Sequence, residues 1–265
     1  MELAHSLKPA LVALSGGLGD IGSAMVKTLT AAGADVAVCD RHSQDEGSQI
    51  LKTLVSEKGG GFYCPLDVSD SVATDTWFEQ VEAHYGRPPN IIVSNAAVVT
   101  LKHLLELTAE EWTREIQINL SGAYFFARTG AAGLRRLQRH GRIIMVGSWA
   151  AHAPHPALPA YSVAKAGLRM LTQSLALELA PDGILVNELA PGFVNAGLSG
   201  KIYQKNPTLK ARDSAGVPLG KLLGAEDVAG QLLYLCSDFA SHMTGSTLLA
   251  DGGLSLLQGP QRTHE

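Results

Sequence analysis

Apolar residues in this chain fall into short unbroken runs that alternate with longer stretches of period near 3.6. The runs at 10–15 (ALVALS), 34–39 (ADVAVC), 90–93 (NIIV), 142–146 (RIIMV) and 184–189 (ILVNEL) are strand-length and largely apolar at successive positions. That is the pattern of strands buried on both faces, as in a parallel sheet. Residues 61–65 read as a further short strand, and 243–253 (MTGSTLLADGG) as a last strand with its turns. Helical periodicity marks 21–32, 45–58, 72–85, a long span from Thr108 through Trp112 toward Leu137, then 161–179 and 225–236. Thr108 with Glu111 forms a capping box at the start of the long span, whereas Gly122, Gly130 and Gly133 soften its helix propensity and permit close helix contact. Strict alternation of strand and helix predicts an α/β fold: an open, doubly wound parallel sheet with helices on both faces. Ligands of such sheets bind beyond the carboxyl ends of the strands.

Composition narrows the reading. A chain of 265 residues suits one domain with one large core. Only 17% of residues are charged, the net charge is −4 and no basic block occurs, which argues against nucleic acid or a membrane surface as partner. The N-terminal apolar run is too short to span a bilayer and leads directly into fold-like sequence, so no signal peptide is expected. Cys39, Cys64 and Cys236 share no metal-ligand spacing and read as spectators in a reducing, cytoplasmic setting. His152 and His155, in HAPH, lack companion ligands, so no metal is expected. Residues 193–216, with weak periodicity and scattered Gly, Pro and Asn, are expected to form a mobile lid closing a domain of 1–258, with 259–265 a frayed tail.

The first candidate chemistry lies between the first strand and the first helix, at GGLGDIG (16–22). Glycines there let the backbone turn tightly and aim amide N–H groups and a helix N-terminus at an anion. The second strand ends in Asp40. A carboxylate at that tip accepts bonds from the adenosine ribose hydroxyls of a dinucleotide and opposes a ribose 2′-phosphate. Arg41 is the competing signal, since a guanidinium there can pair with that phosphate. Asp67 fits two roles, a contact to adenine or a cap for the helix starting near Ser71.

The second lies at 147–165, GSWAAHAPHPALPAYSVAK, which begins where a strand ends and runs into a helix. Ser148 sits at the strand edge, and Tyr161 and Lys165, four residues apart, share one helix face. A serine, a phenol and an ammonium can converge on one oxygen, the cation lowering the phenol's pKa. Trp149, His152, His155, Leu158 and residues of the 193–216 stretch are candidate pocket walls. Asn119 lies mid-helix among apolar residues and requires a specific partner, for which a core hydrogen bond is the simplest account.

Over essentially its whole length the sequence resembles the short-chain dehydrogenase/reductase family. The family's TGxxxGxG appears as SGGLGDIG (15–22), its NNAG as SNAA (94–97), its PG as Pro191–Gly192 and its DGG at 251–253. The family's Asn–Ser–Tyr–Lys tetrad falls on Asn119, Ser148, Tyr161 and Lys165. The resemblance implies a single-domain Rossmann fold, assembled as a homotetramer or a dimer. It implies an NAD-dependent alcohol/ketone oxidoreductase with Tyr161 as general acid/base, Lys165 also holding the nicotinamide ribose, and Asn119 positioning a water in a relay to Lys165. Cofactor contacts would come from Ser15, Gly16, Gly19, Asp20, Ile21, Gly22, Asp40, Arg41, Asp67, Val68, Asn95, Ala96, Ala97, Pro191, Gly192 and Val194, besides Tyr161 and Lys165. Substrate contacts would come from Ser148, Trp149, His155 and Tyr161. A neutral secondary alcohol, polyol or sugar-like compound is the expected substrate, with an NADPH-linked 3-oxoacyl-thioester reductase as the nearest alternative. Three departures stand out: Asp20 replaces a glycine, Ala97 a glycine, and Ala196 a threonine of many members. Together they raise a second alternative, a weakly catalytic dinucleotide-binding regulatory or scaffold protein.

Overall fold

The computed structural model describes residues 7–155 and 157–257, so the tail 259–265 lies outside the described residues. Seven strands form one sheet: β1 (Leu11–Ser15), β2 (Asp35–Cys39), β3 (Gly61–Tyr63), β4 (Ile91–Ser94), β5 (Gly141–Val146), β6 (Ile184–Pro191) and β7 (Thr247–Ala250). Their order is β3-β2-β1-β4-β5-β6-β7, and every pairing is parallel. The strand order therefore reverses between β1 and β4, which opens a crevice at their carboxyl ends.

Helices α1 (Asp20–Ala31), α2 (Gln44–Leu54) and α3 (Ser71–Tyr85) follow the first three strands. After β4 come α4 (Ala109–Ile116) and α5 (Ala123–Arg136), and α6 (Pro159–Leu179) lies between β5 and β6. Then α7 (Gly197–Lys205), α8 (Pro207–Gly216) and α9 (Ala225–Cys236) lead to β7. Alternate strand residues divide the core in two. Val12, Leu14, Val36, Val38 and Ile144 pack with Met25 and Leu29 of α1 and Val228 and Leu232 of α9. Leu11, Ala13, Ile92, Ile143 and Met145 pack with Trp77 and Phe78 of α3, Phe126 of α5 and Leu168 of α6. Both sheet faces are thus covered, as the unbroken apolar runs require.

The differences from expectation have specific physical causes. The long span after Thr108 is not one regular helix, because residues Gln117–Gly122 form a π turn between α4 and α5. Gly122 lies against the backbone there: a Cβ would fall 3.0 Å from Val68 O. Helix α2 stops at Leu54, and Ser56 N then donates to Thr30 Oγ1 at 3.0 Å. Helix α6 begins two residues before Tyr161, with Pro159 in its first turn, where the missing N–H costs nothing. The weakly periodic stretch 193–216 carries two short helices, α7 and α8, separated where Asn206 caps α8 ahead of Pro207.

Candidate active site

A cavity of about 460 Å³ opens along the carboxyl ends of β1, β2, β4, β5 and β6 and beneath α7. Its floor begins at the β1–α1 turn. Gly16 has φ +65°, and a Cβ on it would meet Ala96 Cα at 2.8 Å; on Gly22 it would meet Gly16 O at 2.2 Å. Only glycine allows this turn to close so tightly against β4, which leaves the N-terminus of α1 facing the cavity. Ser15, expected at the cofactor, does not line the cavity. Its Oγ accepts from Asn95 N (3.0 Å) and Ala96 N (3.2 Å), tying β1 to the segment after β4. Asn95 returns the contact, its Nδ2 donating to Gly16 O at 2.9 Å.

Asp40 lies at the tip of β2 on the cavity wall, its carboxylate accepting from Leu18 N (3.2 Å) and Arg41 N (2.8 Å). Asp67 and Val68 line the same end. Of the two roles open to Asp67, the helix cap is excluded: Asp70 caps α3, while Asp67 accepts from the Ser69 backbone and hydroxyl. Those bonds, with help from the Arg41 charge, hold Asp67 below the usual carboxylate range. Gly19, Ile21, Arg41, Ala96, Ala97, Pro191, Gly192 and Val194 also line the cavity, as expected. The PG turn rests on the last glycines. A Cβ at Gly192 would meet Asp251 Cα at 2.7 Å, and Gly252 and Gly253 both have positive φ.

Asp20 and Ala196 prove to be linked. Ala196 precedes α7 and has no side-chain oxygen to cap it. Asp20, in the first turn of α1, accepts from Gly197 N at 2.7 Å instead, supplying the missing acceptor from across the cavity.

At the other end Ser148, Tyr161 and Lys165 converge. Ser148 follows β5, its Oγ accepting from Ala150 N at 3.2 Å, which fixes the hydroxyl beside the cavity. Lys165 is buried and donates to Val146 O at 2.6 Å, with its ammonium 5.5 Å from the Tyr161 ring centroid. Burial pushes Lys165 down to about 8, a fall that the Glu188 carboxylate opposes. Burial pushes Tyr161 up to about 12, against a hydrogen bond with Ser148 that favours ionisation and with a further rise from Glu115. The expected lowering by Lys165 is not among the influences on the phenol, and desolvation of the phenolate dominates.

Asn119 does not line the cavity. Its Oδ1 accepts from Val98 N and its Nδ2 donates to Val98 O, each at 2.8 Å, so both ends of the amide are matched by one backbone residue. The simple account of Asn119 as a core hydrogen bond fits this geometry. The π turn containing Asn119 lies where the amide fastens the helix to the post-β4 segment that lines the site.

The substrate end is walled by Trp149, Phe193, Leu158, Val99, Leu101 and Ile202. Trp149 and Phe193 meet edge to face, with centroids 5.1 Å apart. His155 does not line the cavity; it packs edge-on behind Trp149 at 5.9 Å, and burial lowers its pKa. Two buried carboxylates escaped sequence reasoning. Glu115 of α4 accepts from Thr100 N and leaves Oε2 unpartnered, and Glu188 of β6 leaves Oε1 unpartnered. Each was hidden inside a run that reads as ordinary secondary structure.

A glycine-cradled helix N-terminus beside a Ser–Tyr–Lys cluster defines a dinucleotide-dependent oxidoreductase. Residues 17–255 match a family described as enoyl-(acyl carrier protein) reductase. The chain belongs to the short-chain dehydrogenase/reductase family, oxidoreductases of hydroxyl and keto groups that use a nicotinamide dinucleotide. It is 33% identical over 256 residues to 3beta-hydroxysteroid dehydrogenase 1 of Eggerthella lenta, covering 96% of this chain and 97% of that one. It is also 33% identical over 250 residues to the 3-oxoacyl-(acyl-carrier-protein) reductase FabG of Escherichia coli, covering 94% and 98%. Among solved structures, a short-chain type dehydrogenase/reductase from Mycobacterium marinum superposes with a TM-score of 0.87 at 27% identity, covering 95% and 97%. A putative 2-deoxy-d-gluconate 3-dehydrogenase from Agrobacterium tumefaciens with bound NADP gives 0.85 at 26%, covering 96% and 99%.

Proposed function

We propose that this enzyme interconverts a neutral secondary alcohol and its ketone with NAD, and that the alcohol carries an apolar flank. The observation that carries the substrate reading is the Trp149–Phe193 pair standing beside Ser148 and Tyr161. An aromatic and aliphatic wall stabilises an apolar body and leaves the extra hydroxyls of a polyol or sugar unpaired, so it favours the first of the expected classes. Ser148 holds the substrate oxygen, Tyr161 moves the proton at that oxygen, and Lys165 anchors the pair from Val146. The glycine turn, Asp40 and Lys165 would hold the dinucleotide, which would supply the hydride acceptor or donor. Asp40 at the tip of β2 supports NAD over NADP.

Absorbance of reduced nicotinamide over matched alcohols tests this. An alcohol with one aliphatic or ring flank should exceed a polyol of equal carbon count in kcat/KM, and Trp149→Ala should erase most of the difference. Faster turnover of polyols would overturn the substrate reading. The 3-oxoacyl-thioester reading has support from the 33% identity to FabG, and thioesters outpacing free ketones would establish it instead. The helical segment over the cavity, 193–216, acts in this reading as a substrate lid on a 1–258 domain.

The protein works as a homotetramer in this proposal, in the cytoplasm. Val163, Met170 and Leu177 form an exposed apolar stripe along α6, each a heptad apart, which supports helix-to-helix assembly. Light scattering of Met170→Asp should report a smaller species than the parent. Among the described residues no helix is long and apolar enough to cross a membrane.

A further inference from the structure

Lys165 is held at the end of β5 by Val146 O, at 2.6 Å. The next residue, Gly147, has a second neighbour on the same stretch of backbone. A Cβ there would fall 1.9 Å from Glu188 Oε1, so the carboxylate lies flat against the glycine. Glu188 is fully buried, on the β6 face that α6 covers. Its Oε2 accepts the Thr247 hydroxyl of β7 at 2.6 Å, and its Oε1 has no hydrogen-bond partner. The charges facing it are Lys165 and Arg169, both on α6, and Arg169 is engaged with His152 Nδ1 at 2.8 Å. A buried carboxylate with one bare oxygen is costly unless a cation lies close.

We propose that Glu188 is a positioning residue for the reaction, the buried counter-ion that secures the Lys165 ammonium behind the Ser148–Tyr161 pair. This rests on Lys165 being catalytic. Thr247 fixes the carboxylate, Gly147 gives it room, and the lysine receives its negative field through the end of β5. Burial drives Lys165 toward the neutral amine and pushes the Glu188 carboxyl up as well, while the charge of each favours the ionised form of the other. Tyr161 itself faces Glu115 from α4, whose negative charge acts against the phenolate. The two carboxylates thus pull the site in opposite directions, Glu188 through the lysine and Glu115 directly on the phenol.

The test uses lysine labelled with ¹³C at Cε, the Lys165 resonance being assigned by its absence in Lys165→Met. In Glu188→Gln, which keeps the volume and a bond to Thr247, the Lys165 titration midpoint should fall by about one pH unit or more. The limb of the kcat/KM profile that follows Lys165 should move with it, about tenfold per unit at a pH between the two midpoints. Glu188→Asp should restore most of the midpoint. In the wild-type protein the Glu188 carboxyl resonance should step at the Lys165 midpoint, and this reads the coupling even if Glu188→Gln fails to fold. An unmoved midpoint, or no step, would overturn the counter-ion role. Turnover that survives Lys165→Met would instead overturn the catalytic reading of the lysine, leaving the charge coupling measurable on its own.

Discussion

Burial pushes the Tyr161 phenol up to about 12, so at neutral pH the residue is present as the proton donor that ketone reduction needs. Alcohol oxidation needs the phenolate, whose population grows tenfold per pH unit below the pKa. Oxidation should therefore rise through the alkaline range while reduction stays flatter. Tyr161→Phe should abolish nearly all turnover in both directions with cofactor affinity retained. Ser148→Ala removes the bond that favours the phenolate, so the oxidation limb should move to still higher pH. An oxidation limb that moves to lower pH in Ser148→Ala would place the titrating group elsewhere. Asp20 offers a second test at this scale. Its carboxylate caps α7 in place of the absent Ala196 side chain, so Asp20→Gly should loosen α7 by about 1 kcal/mol and raise KM more than it lowers kcat. Adding Ala196→Thr to Asp20→Gly should recover part of the loss, and strict additivity of the two changes would argue against the link. That Ser148, Tyr161, Lys165 and Asp40 would meet one cavity was legible from their types and spacing, whereas Asn119 does not line it. Glu115 and Glu188 were not, because a buried acid is defined by partners far away in sequence, here Thr247 against Glu188.

At the level of elements, β1, β2, β4, β5 and β6 were readable to within two residues, since strands buried on both faces leave an unbroken apolar signature. What sequence periodicity did not reveal was the π turn at Gln117–Gly122. Its cause is tertiary: the Asn119 amide matches both backbone groups of Val98, a contact no helical pattern encodes. The pairing of Asp20 with α7 was invisible for the same reason. By contrast the glycine turn was readable because its requirement is steric. In Gly22→Ala the new Cβ would meet Gly16 O at 2.2 Å, inside any permitted contact, so the turn must open. Cofactor affinity should drop at least tenfold by calorimetry while the far-ultraviolet circular dichroism stays native, because the remainder of α1 keeps its packing. Unchanged affinity would mean that the close turn is not what presents α1 to the cofactor.

At the scale of the whole molecule the cavity draws residues from three strands, from the turns that follow two more, and from α7, so a dinucleotide filling it braces the fold as a unit. Binding to the native state alone stabilises by about 2.7 kcal/mol when ligand stands at a hundred times Kd. For a chain of this size that is roughly 5–10 °C in Tm. In the proposed reading Asp40 decides which dinucleotide does this. Its carboxylate is fixed by Leu18 N and Arg41 N, so it cannot swing away to admit a ribose 2′-phosphate. The opposing Arg41 lies close enough to Asp67 to lower that carboxyl's pKa, so part of its field is already answered within the protein. One poorly compensated charge contact of this kind costs on the order of 1–3 kcal/mol, roughly tenfold to a hundredfold in affinity. At the NAD concentration that gives the full shift, NADP should therefore raise Tm by about half as much or less, protomer concentration being held fixed. Asp40→Ala should bring the two shifts together by weakening NAD and relieving NADP. An equal or larger wild-type shift with NADP, or a difference that survives Asp40→Ala, would show that Arg41 reads the ribose and would reverse the cofactor assignment.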